Sequence, residues 1–362
     1  MSSSFTSLGI SLLGSTDLLE LGARADSVRR MLHPQGVVTF ISNRNINYTN
    51  ICISRCRFCA FHRDEDHPEA YVLSYEEIGR KIEEAKAHGA VEIMLQGGLH
   101  PLLPLDWYTA LLRYIKKNHP IHIHGFSAPE IDHLSRISDK PVKRVIEILI
   151  EAGLDSIPGG GAEILSASLR RRISPRKTGV KRWLEVHETA HNLGLRTTAT
   201  MVYGLGESPG EIIAHLQRIR SLQERTGGFT AFIPWSFQPG NTRLVIPRTA
   251  PVLYLRILAA SRILLDNIPN IQASWVTQGP EIAQLALYFG ANDFGSTMLE
   301  ENVVRAAGCS FKAMDEKTIA RLIAEAGFIP ALRTQDYRII RRFNGFLRHS
   351  KPLIRHLEEK LQ

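Results

Sequence analysis

The chain is poor in cysteine, with only four among its 362 residues. Small secreted domains rely on many evenly paired cysteines, and three of these four lie within eight residues, so a disulfide framework is excluded. No stretch of about 18 uninterrupted apolar residues is present, so we expect no transmembrane helix. The first residues lack a basic segment followed by an apolar run, so we expect no secretory signal. These absences predict a cytoplasmic protein without a membrane partner.

The sequence also has no recognisable nucleic-acid-binding motif, although its formal net charge is +8. Much of the positive charge lies in two segments, residues 170–177 and 333–360. The first follows a glycine-rich turn and is better placed to meet an anionic small molecule. The second is typical of a solvated helix face. We therefore expect a small-molecule substrate and no nucleic-acid partner.

The clustered cysteines are Cys52, Cys56 and Cys59, in the spacing C-x3-C-x2-C. This spacing is typical of three ligands of a [4Fe-4S] cluster and leaves one iron without a protein ligand. A structural zinc site needs four ligands, so His62 or His67 would have to complete a Cys3His site. Both of these alternatives make the three cysteines metal ligands, and unligated thiols are a third alternative.

Strand-like and helix-like segments alternate about eight times along the chain, which favours parallel strands joined by crossover helices. The fold prediction is α/β, a (β/α)8 TIM-type barrel, with a doubly wound sheet as the alternative. We expect one domain with an N-terminal helical extension (1–36), the barrel (37–330) and a C-terminal helical extension (331–362). Two capping boxes, Ser74 with Glu77 and Ser208 with Glu211, predict helix starts. The predicted strands cover residues 37–42, 91–95, 121–126, 154–157, 196–202, 229–235, 271–276 and 292–296.

Glycine-rich and polar turns follow several of these strands, which in a barrel places them at the active-site face. Glycines at 97–98 and 159–161 allow a ligand to approach the backbone closely. Glu163 is either a ligand-binding carboxylate or a first-turn glutamate that favours its own helix dipole. Aromatic and amide side chains in the loop 232–242 suit a flat, partly polar substrate, and a rigid proline-bound loop is the alternative.

Three histidines are candidate proton acceptors, because histidine titrates near neutral pH. They are His100, His122 and His124. A structural role is the alternative for each of them.

The cysteine motif, with Phe58 directly before Cys59, resembles that of the radical S-adenosylmethionine (SAM) superfamily. The resemblance implies that SAM binds the open iron and is cleaved to a 5′-deoxyadenosyl radical. It also implies that the turn Gln96-Gly97-Gly98 binds the SAM amino group, although Leu99 stands where the common form has an acid. The residues expected to bind SAM are Phe58, Gln96, Gly97, Gly98, Ser127, Glu163, Thr200 and Gly204, and those expected to be catalytic are Glu163, Glu207 and His100.

Further strings resemble the radical SAM enzymes of the futalosine route to menaquinone and their relatives in deazaflavin biosynthesis. They are residues 45–50, 94–98, 156–163, 172–175, 234–242, 290–295 and 300–302. The string 234–242 resembles the cyclase branch of that group. The expected substrate-binding residues are Arg172, which would pair a benzoate carboxylate, with Trp235, Gln238 and Asn241.

The implied reaction closes dehypoxanthinylfutalosine to its cyclic form. The deoxyadenosyl radical would abstract hydrogen from the sugar C4′, and the carbon radical would add to the benzoate ring. Reduced flavodoxin or ferredoxin is the expected electron donor. One alternative is the aminofutalosine synthase branch, which joins the adenosyl group of SAM to a chorismate-derived enol ether. An alternative from another class is a non-catalytic zinc-binding module.

Overall fold

The computed structural model describes residues 3–310, 313–343 and 345. The strands are β1 (Val37–Ile41), β2 (Asn43–Asn47), β3 (Glu92–Gln96), β4 (His122–Gly125), β5 (Ser156–Ile157), β6 (Arg196–Tyr203), β7 (Phe229–Ser236), β8 (Asn270–Ile271), β9 (Asp293–Ser296), β10 (Ile329–Arg333) and β11 (Ile339–Arg342). The helices are α1 (Ser3–Gly14), α2 (Leu18–Leu32), α3 (Tyr75–Ala87), α4 (Leu105–Asn118), α5 (Ala128–Ile137), α6 (Val142–Ala152), α7 (Ala167–Ile173), α8 (Val180–Asn192), α9 (Pro209–Thr226), α10 (Pro251–Leu264), α11 (Trp275–Gln278), α12 (Pro280–Tyr288), α13 (Val303–Ala306) and α14 (Glu316–Glu325).

The strands form a parallel ring. Strands β2 to β8 make one parallel sheet in chain order. Strand β1 leads through Ser42 into β2 and pairs in parallel with β9, and a parallel bridge between Gln272 and Asp293 joins β9 to the end of β8. Counting β1 and β2 as one interrupted strand, eight strands therefore close the ring. The predicted (β/α)8 fold is confirmed.

Local sequence sets the helix starts that orient this ring. The Ser74 hydroxyl accepts a hydrogen bond from the Glu77 N–H (3.2 Å), and the Glu77 carboxylate accepts one from the Ser74 N–H (2.7 Å). Ser208 and Glu211 make the same reciprocal pair at the start of α9. Both predicted capping boxes are present, because each satisfies backbone N–H groups that the first helical turn leaves unpaired.

The N-terminal extension contains two helices, α1 and α2, where the sequence predicted one. Asp17 separates them, since its carboxylate accepts hydrogen bonds from the N–H groups of Leu19 (2.9 Å) and Glu20 (3.1 Å) and begins α2. Both helices pack against α10 on the outside of the ring. An N-cap inside a helical stretch starts a new helix, which the prediction overlooked.

The predicted C-terminal helix over 331–362 is wrong for residues 331–343, which belong to β10, β11 and their connection. Strand β10 adds in parallel to β1, and β11 turns back on it. Arg333 is buried and pairs with Asp293 (2.5 Å), so this arginine does not lie on a solvated helix face. Residues 344 and 346–362 of the predicted helix lie outside the described residues.

Three further local predictions differ from the structure. The strand predicted over 271–276 is only β8, because the chain turns after Ile271 and forms the short helix α11, in which the Trp275 indole donates to the Ser296 carbonyl (2.9 Å). Helices α5 and α7 were not predicted, and β2 extends the first strand beyond its predicted end. No helix among the described residues is both long and apolar enough to cross a membrane.

Candidate active site

A cavity of about 310 Å³ opens at the carboxyl ends of the strands, and we call it the outer chamber. The cysteine loop, the turn after β3, the N-terminus of α5, the glycine run after β5 and the end of β7 converge on it. Among the sequence-predicted site residues, it is lined by Cys52, Cys56, Phe58, Cys59, Gln96, Gly97, Gly98, Ser127, Glu163, Trp235 and Gln238. Because parallel strands in a ring end at the same face, residues far apart in sequence meet here.

The cysteine loop is held by backbone hydrogen bonds to distant segments. The N–H of Cys52 donates to the Arg63 carbonyl (3.1 Å), and the N–H of Arg57 donates to the Ile173 carbonyl (2.8 Å) at the end of α7. Cys56 is buried, and its sulfur lies 3.3 Å from the Ser54 hydroxyl. The three thiols are thereby presented to one chamber from a fixed loop.

Burial governs the acidity of the Cys52 and Cys56 thiols. It raises the pKa of Cys56 to about 11 and also raises the pKa of Cys52. Deprotonation in this setting needs a positively charged partner, which iron supplies when a thiolate binds it. Three thiols facing one chamber therefore fit a cluster with one open iron.

The zinc alternative requires a fourth protein ligand. His62 places Nδ1 2.9 Å from the Cys59 carbonyl oxygen, and His67 Nδ1 accepts a hydrogen bond from the Glu69 N–H (3.1 Å). Within the described part of the chain, no three His, Cys, Asp or Glu side chains converge on a single-ion site. A tetrahedral site around one ion needs such convergence, whereas a cluster is wider than one ion.

The turn Gln96-Gly97-Gly98 is positioned by Glu130, which sequence reasoning missed. The Glu130 carboxylate accepts hydrogen bonds from the Gly97 N–H (3.0 Å) and the Tyr48 hydroxyl (2.6 Å) on one oxygen. Its other oxygen accepts from the Ser127 N–H (2.7 Å) and hydroxyl (2.5 Å). A Cβ on Gly98 would lie 2.1 Å from the Ile51 carbonyl oxygen. The turn thus needs glycine because it packs on the cysteine loop.

A buried ion network lies beside the cysteines. Glu163 accepts from Lys177 Nζ (2.8 Å) and from an Arg170 Nη (3.2 Å), with a backbone φ of 41°. Burial raises the pKa of Glu163, but the two cations outweigh it and hold this pKa below its ordinary value. Lys177 also lies 5.3 Å from the Phe58 ring centroid. Glu163 therefore stays ionised and is a poor proton acceptor.

A second cavity of about 210 Å³, which we call the inner chamber, continues into the ring. It shares Gln96, Gly160 and Trp235 with the outer chamber, so the two are contiguous. Its polar lining residues are Asn43, Asn45, Glu92, Gln96, His124, Thr198, Thr200, Gln272, Ser296, Glu301, Arg333, Gln335 and Tyr337. Alternate residues of β2 and β6 face this space, as the period of a strand requires.

Six predicted site residues line neither chamber, and one of them is His122, whose Nε2 lies 2.8 Å from the Ser156 hydroxyl oxygen. Gly204 and Glu207 form a closed turn after β6, in which the Glu207 carboxylate accepts from the Gly204 N–H (2.6 Å). His100 accepts from the Leu102 N–H (3.1 Å) in the turn before α4. Arg172 is exposed and donates to the Gly206 carbonyl (3.0 Å), while Asn241 is exposed and donates to the Ala306 carbonyl (2.9 Å).

These placements change several expectations. Arg170 is the arginine of its run that turns inward, because α7 directs it toward Glu163. Thr200 lines the inner chamber, away from the cysteines, and donates to the Gly159 carbonyl (2.6 Å). Gly159 is required by packing, since a Cβ there would lie 2.7 Å from the Ala199 Cα.

Sequence signals existed for some of the missed residues. The string Ser127-Ala-Pro-Glu130 has the form of a capping box with proline in the first turn, which predicts both α5 and an inward carboxylate. For Lys177 and Glu92 we see no local signal, because each is placed by contacts with strands or helices distant in sequence.

Two family models match the chain. The model described as the radical SAM superfamily matches residues 46–219, and the model described as the CofH/MqnC C-terminal region matches residues 226–344. Together they cover strands β3 to β11 and the end of β2, whereas β1 precedes the first match.

Three characterised relatives are similar over most of the chain. Cyclic dehypoxanthine futalosine synthase of Halalkalibacterium halodurans is 48% identical over 92% of this chain and 90% of its own. The 5-amino-6-(D-ribitylamino)uracil–L-tyrosine 4-hydroxyphenyl transferase of Methanopyrus kandleri is 43% identical over 84% and 85%. Aminodeoxyfutalosine synthase of Thermus thermophilus is 39% identical over 92% and 91%.

Among solved structures, the FeFe-hydrogenase maturase HydG from Carboxydothermus hydrogenoformans superposes with a TM-score of 0.71 at 17% identity, covering 95% of this chain and 78% of that chain. At this identity the match shows a shared fold. Three cysteines face one chamber, two family models match the chain, and relatives are identical at 39% or more over most of their length. The chain therefore belongs to the radical SAM superfamily of enzymes, in the CofH/MqnC group, whose cofactors are a [4Fe-4S] cluster and SAM.

Proposed function

We propose that this enzyme converts dehypoxanthinylfutalosine to cyclic dehypoxanthinylfutalosine. The observation that carries the proposal is the 48% identity, over nine-tenths of both chains, to the relative named for that product. The two contiguous chambers support it, because one substrate with two reacting parts needs a closed space next to the cofactor site.

The cluster and SAM, when bound, supply a 5′-deoxyadenosyl radical. One hydrogen atom leaves the sugar C4′ for that radical, and a bond forms between C4′ and the aromatic ring. The ring then loses one electron, which the cluster left oxidised by SAM cleavage would take up, and one proton, which passes to water, so that aromaticity is restored. The protein contributes orientation and exclusion of competing reactions, since the cofactor carries the difficult chemistry.

The residues around the outer chamber have distinct tasks in this proposal. Cys52, Cys56 and Cys59 would hold three irons, and Glu130 fixes the turn at Gly97, which lines the same chamber as the cysteines. Lys177 keeps a positive charge beside the thiolates, and Glu163 and Cys56 hold the pKa of Lys177 above its ordinary value despite its burial. A permanent cation there suits an anionic cluster or the carboxylate of a bound ligand.

We also propose that a reduced flavodoxin or ferredoxin in the cytoplasm supplies the electron. The cysteine loop is surrounded by exposed arginines, and acidic electron-transfer proteins associate with such surfaces through charge complementarity. The exposed arginines around the cysteine loop are Arg55, Arg57, Arg172, Arg176 and Arg243. Buried thiolate ligands also require a reducing compartment.

Anaerobically reconstituted enzyme, incubated with SAM, a reductant and dehypoxanthinylfutalosine, tests the proposal. Equal amounts of 5′-deoxyadenosine and a cyclised product are expected by mass spectrometry. Parallel reactions contain the chorismate-derived enol ether, or 5-amino-6-(D-ribitylamino)uracil with tyrosine. An adenosyl adduct in the first, or a hydroxyphenyl transfer product in the second, with no cyclised product, would assign the enzyme to another branch of the group.

A further inference from the structure

Three buried oxygen atoms of the inner-chamber lining have no hydrogen-bond partner among the described residues, and one of them is the Tyr337 hydroxyl oxygen. The other two, Asn45 Oδ1 and Glu92 Oε2, belong to the paired strands β2 and β3. Both side chains are otherwise well held. Asn45 Nδ2 donates to Glu301 (2.7 Å), and the other Glu92 oxygen accepts from Asn43 Nδ2 (2.8 Å). The residues are only 4% and 1% exposed. Buried polar atoms are nearly always paired, so these two await a hydrogen-bond partner from outside the protein.

The two oxygens belong to one wall of the chamber. In the parallel pairing of β2 and β3, Asn43 lies opposite Glu92 and Asn45 lies opposite Met94. Residues two apart on a strand face the same side, so Asn45 and Glu92 are diagonal neighbours facing the interior. A ligand that descends from the junction at Gln96 meets Asn45 first and Glu92 below it.

The charges of the chamber argue against an anionic ligand part. Arg333 is the one Lys or Arg side chain among its lining residues, and its Nε and one Nη donate to Asp293 (2.5 and 3.2 Å). Its other Nη donates to the Thr334 carbonyl (3.2 Å). Glu92 and Glu301 add two acidic groups. A carboxylate placed here would lack a free cation, so the chamber suits an uncharged ligand that carries donors.

We propose that the inner chamber binds a hydroxyl-rich, uncharged sugar or sugar-alcohol part of the substrate through Asn45 Oδ1 and Glu92 Oε2. This deepens the proposed function, on which the choice of sugar rests. The hydroxyls of the dehypoxanthinylfutalosine sugar hydrogen-bond to the two oxygens, because a hydroxyl donates to Asn45 Oδ1 and either donates to the ionised Glu92 carboxylate or accepts from the protonated carboxyl. C4′ lies at the junction of the chambers beside Gln96 and Trp235. The benzoate carboxylate remains on the outer side, where the half-buried Lys177 lines the chamber.

The test measures dissociation constants by anaerobic calorimetry with the holoenzyme, SAM present and no reductant, so that no turnover occurs. The probes are dehypoxanthinylfutalosine, its 2′-deoxy and 3′-deoxy analogues, and 5-amino-6-(D-ribitylamino)uracil. The variants are Asn45→Ala, Glu92→Met and, as a matched control, Asn267→Ala. Asn267 also has an unpartnered Oδ1, but it lines neither chamber.

In the wild type, loss of at least one hydroxyl should weaken binding about tenfold or more, because a buried polar atom is left unpaired. In Asn45→Ala or Glu92→Met the parent compound should bind more weakly, and the corresponding deoxy analogue should bind as well as the parent. Asn267→Ala should keep the full wild-type deoxy effect. A variant counts as folded if its SAM affinity and cluster absorbance equal those of the wild type. The comparison of the parent compound with its deoxy analogues on the wild-type enzyme does not depend on any variant folding.

Absence of any deoxy effect in the wild type, or an equal effect in the wild type and both chamber variants, would overturn the inference. If only the ribityl compound binds, and more weakly in Asn45→Ala, the proposed function fails and the hydroxyl site stands. If neither the parent nor the ribityl compound binds to the wild type, both proposals fail.

Discussion

Glu92 should make the stability of the enzyme fall as pH rises toward neutrality. Its carboxyl is buried in the inner chamber, and burial raises its pKa from 4.5 to about 7, against the smaller opposing effect of Asn43. The folded state therefore holds the proton more tightly than the unfolded state. Stability from this group is complete below about pH 4.5 and is lost as pH rises through about 7.

The size of the effect follows from the two pKa values. A difference of about 2.5 units corresponds to about 3 kcal/mol between the fully protonated and fully ionised limits. Between about pH 5.5 and pH 8.5 the share of the unfolding free energy that depends on Glu92 should fall by about 2 kcal/mol. Glu92→Gln keeps the shape and the bond to Asn43 but does not titrate, so it should remove this share of the pH dependence.

Urea unfolding under anaerobic conditions at a series of pH values measures the difference between wild type and Glu92→Gln. As pH rises over this range, the unfolding free energy of Glu92→Gln minus that of the wild type should increase by about 2 kcal/mol. Glu76→Gln, an exchange at an exposed glutamate, serves as the control and should leave the profile parallel to that of the wild type. Parallel profiles for Glu92→Gln, or a shift in favour of the wild type at high pH, would refute the buried protonated carboxyl.

Three further results are expected. Cys56→Ala should lose the brown chromophore and most iron and sulfide on anaerobic reconstitution, whereas Cys309→Ala should keep them; a chromophore retained in Cys56→Ala would contradict the cluster site. Glu130→Ala should lower the unfolding free energy by about 3 kcal/mol or more and weaken SAM binding measured by calorimetry, because it leaves four donors unpaired. Unchanged stability would show that these bonds contribute little. Lys177→Met should move the cluster midpoint potential, measured by redox titration with electron paramagnetic resonance, to a more negative value, because a cation favours the reduced and more negative cluster. A potential that stays the same or rises would place Lys177 too far from the cluster to act.

Residues that act through local spacing were predicted well. Cys52, Cys56 and Cys59 lie within one loop, and the turn at Gln96 directly follows a strand, so their proximity in space follows from proximity in sequence and strand order. Predicted roles were less accurate for residues on other turns. Glu207 and His100 look like free catalytic groups in the sequence, but each is used by its own turn to satisfy backbone N–H groups.

The arginine run at residues 170–172 shows the same limit of prediction from sequence. The sequence placed Arg172 at the substrate, whereas α7 turns Arg170 inward and leaves Arg172 at the surface. Which member of a run faces inward depends on where the helix starts, and Ser166 caps α7 two residues after Ile164. A boundary shift of one residue rotates every side chain by about 100°, so sequence alone cannot choose among neighbours.

The sequence by itself determined which chemistry and fold to expect: the cysteine spacing favours a cluster over a zinc site, and the alternation of strands and helices favours a barrel over a doubly wound sheet. The tertiary structure decided which charges act together and where the substrate space lies. Lys177 interacts electrostatically with Cys56, and Glu130 accepts a hydrogen bond from the Gly97 N–H. Asn45 and Glu92 face one chamber. Ring closure brings these residues together from segments that no local pattern connects. Burial, hydrogen-bond satisfaction and pKa are properties of that assembly, and they exist only once the ring has closed.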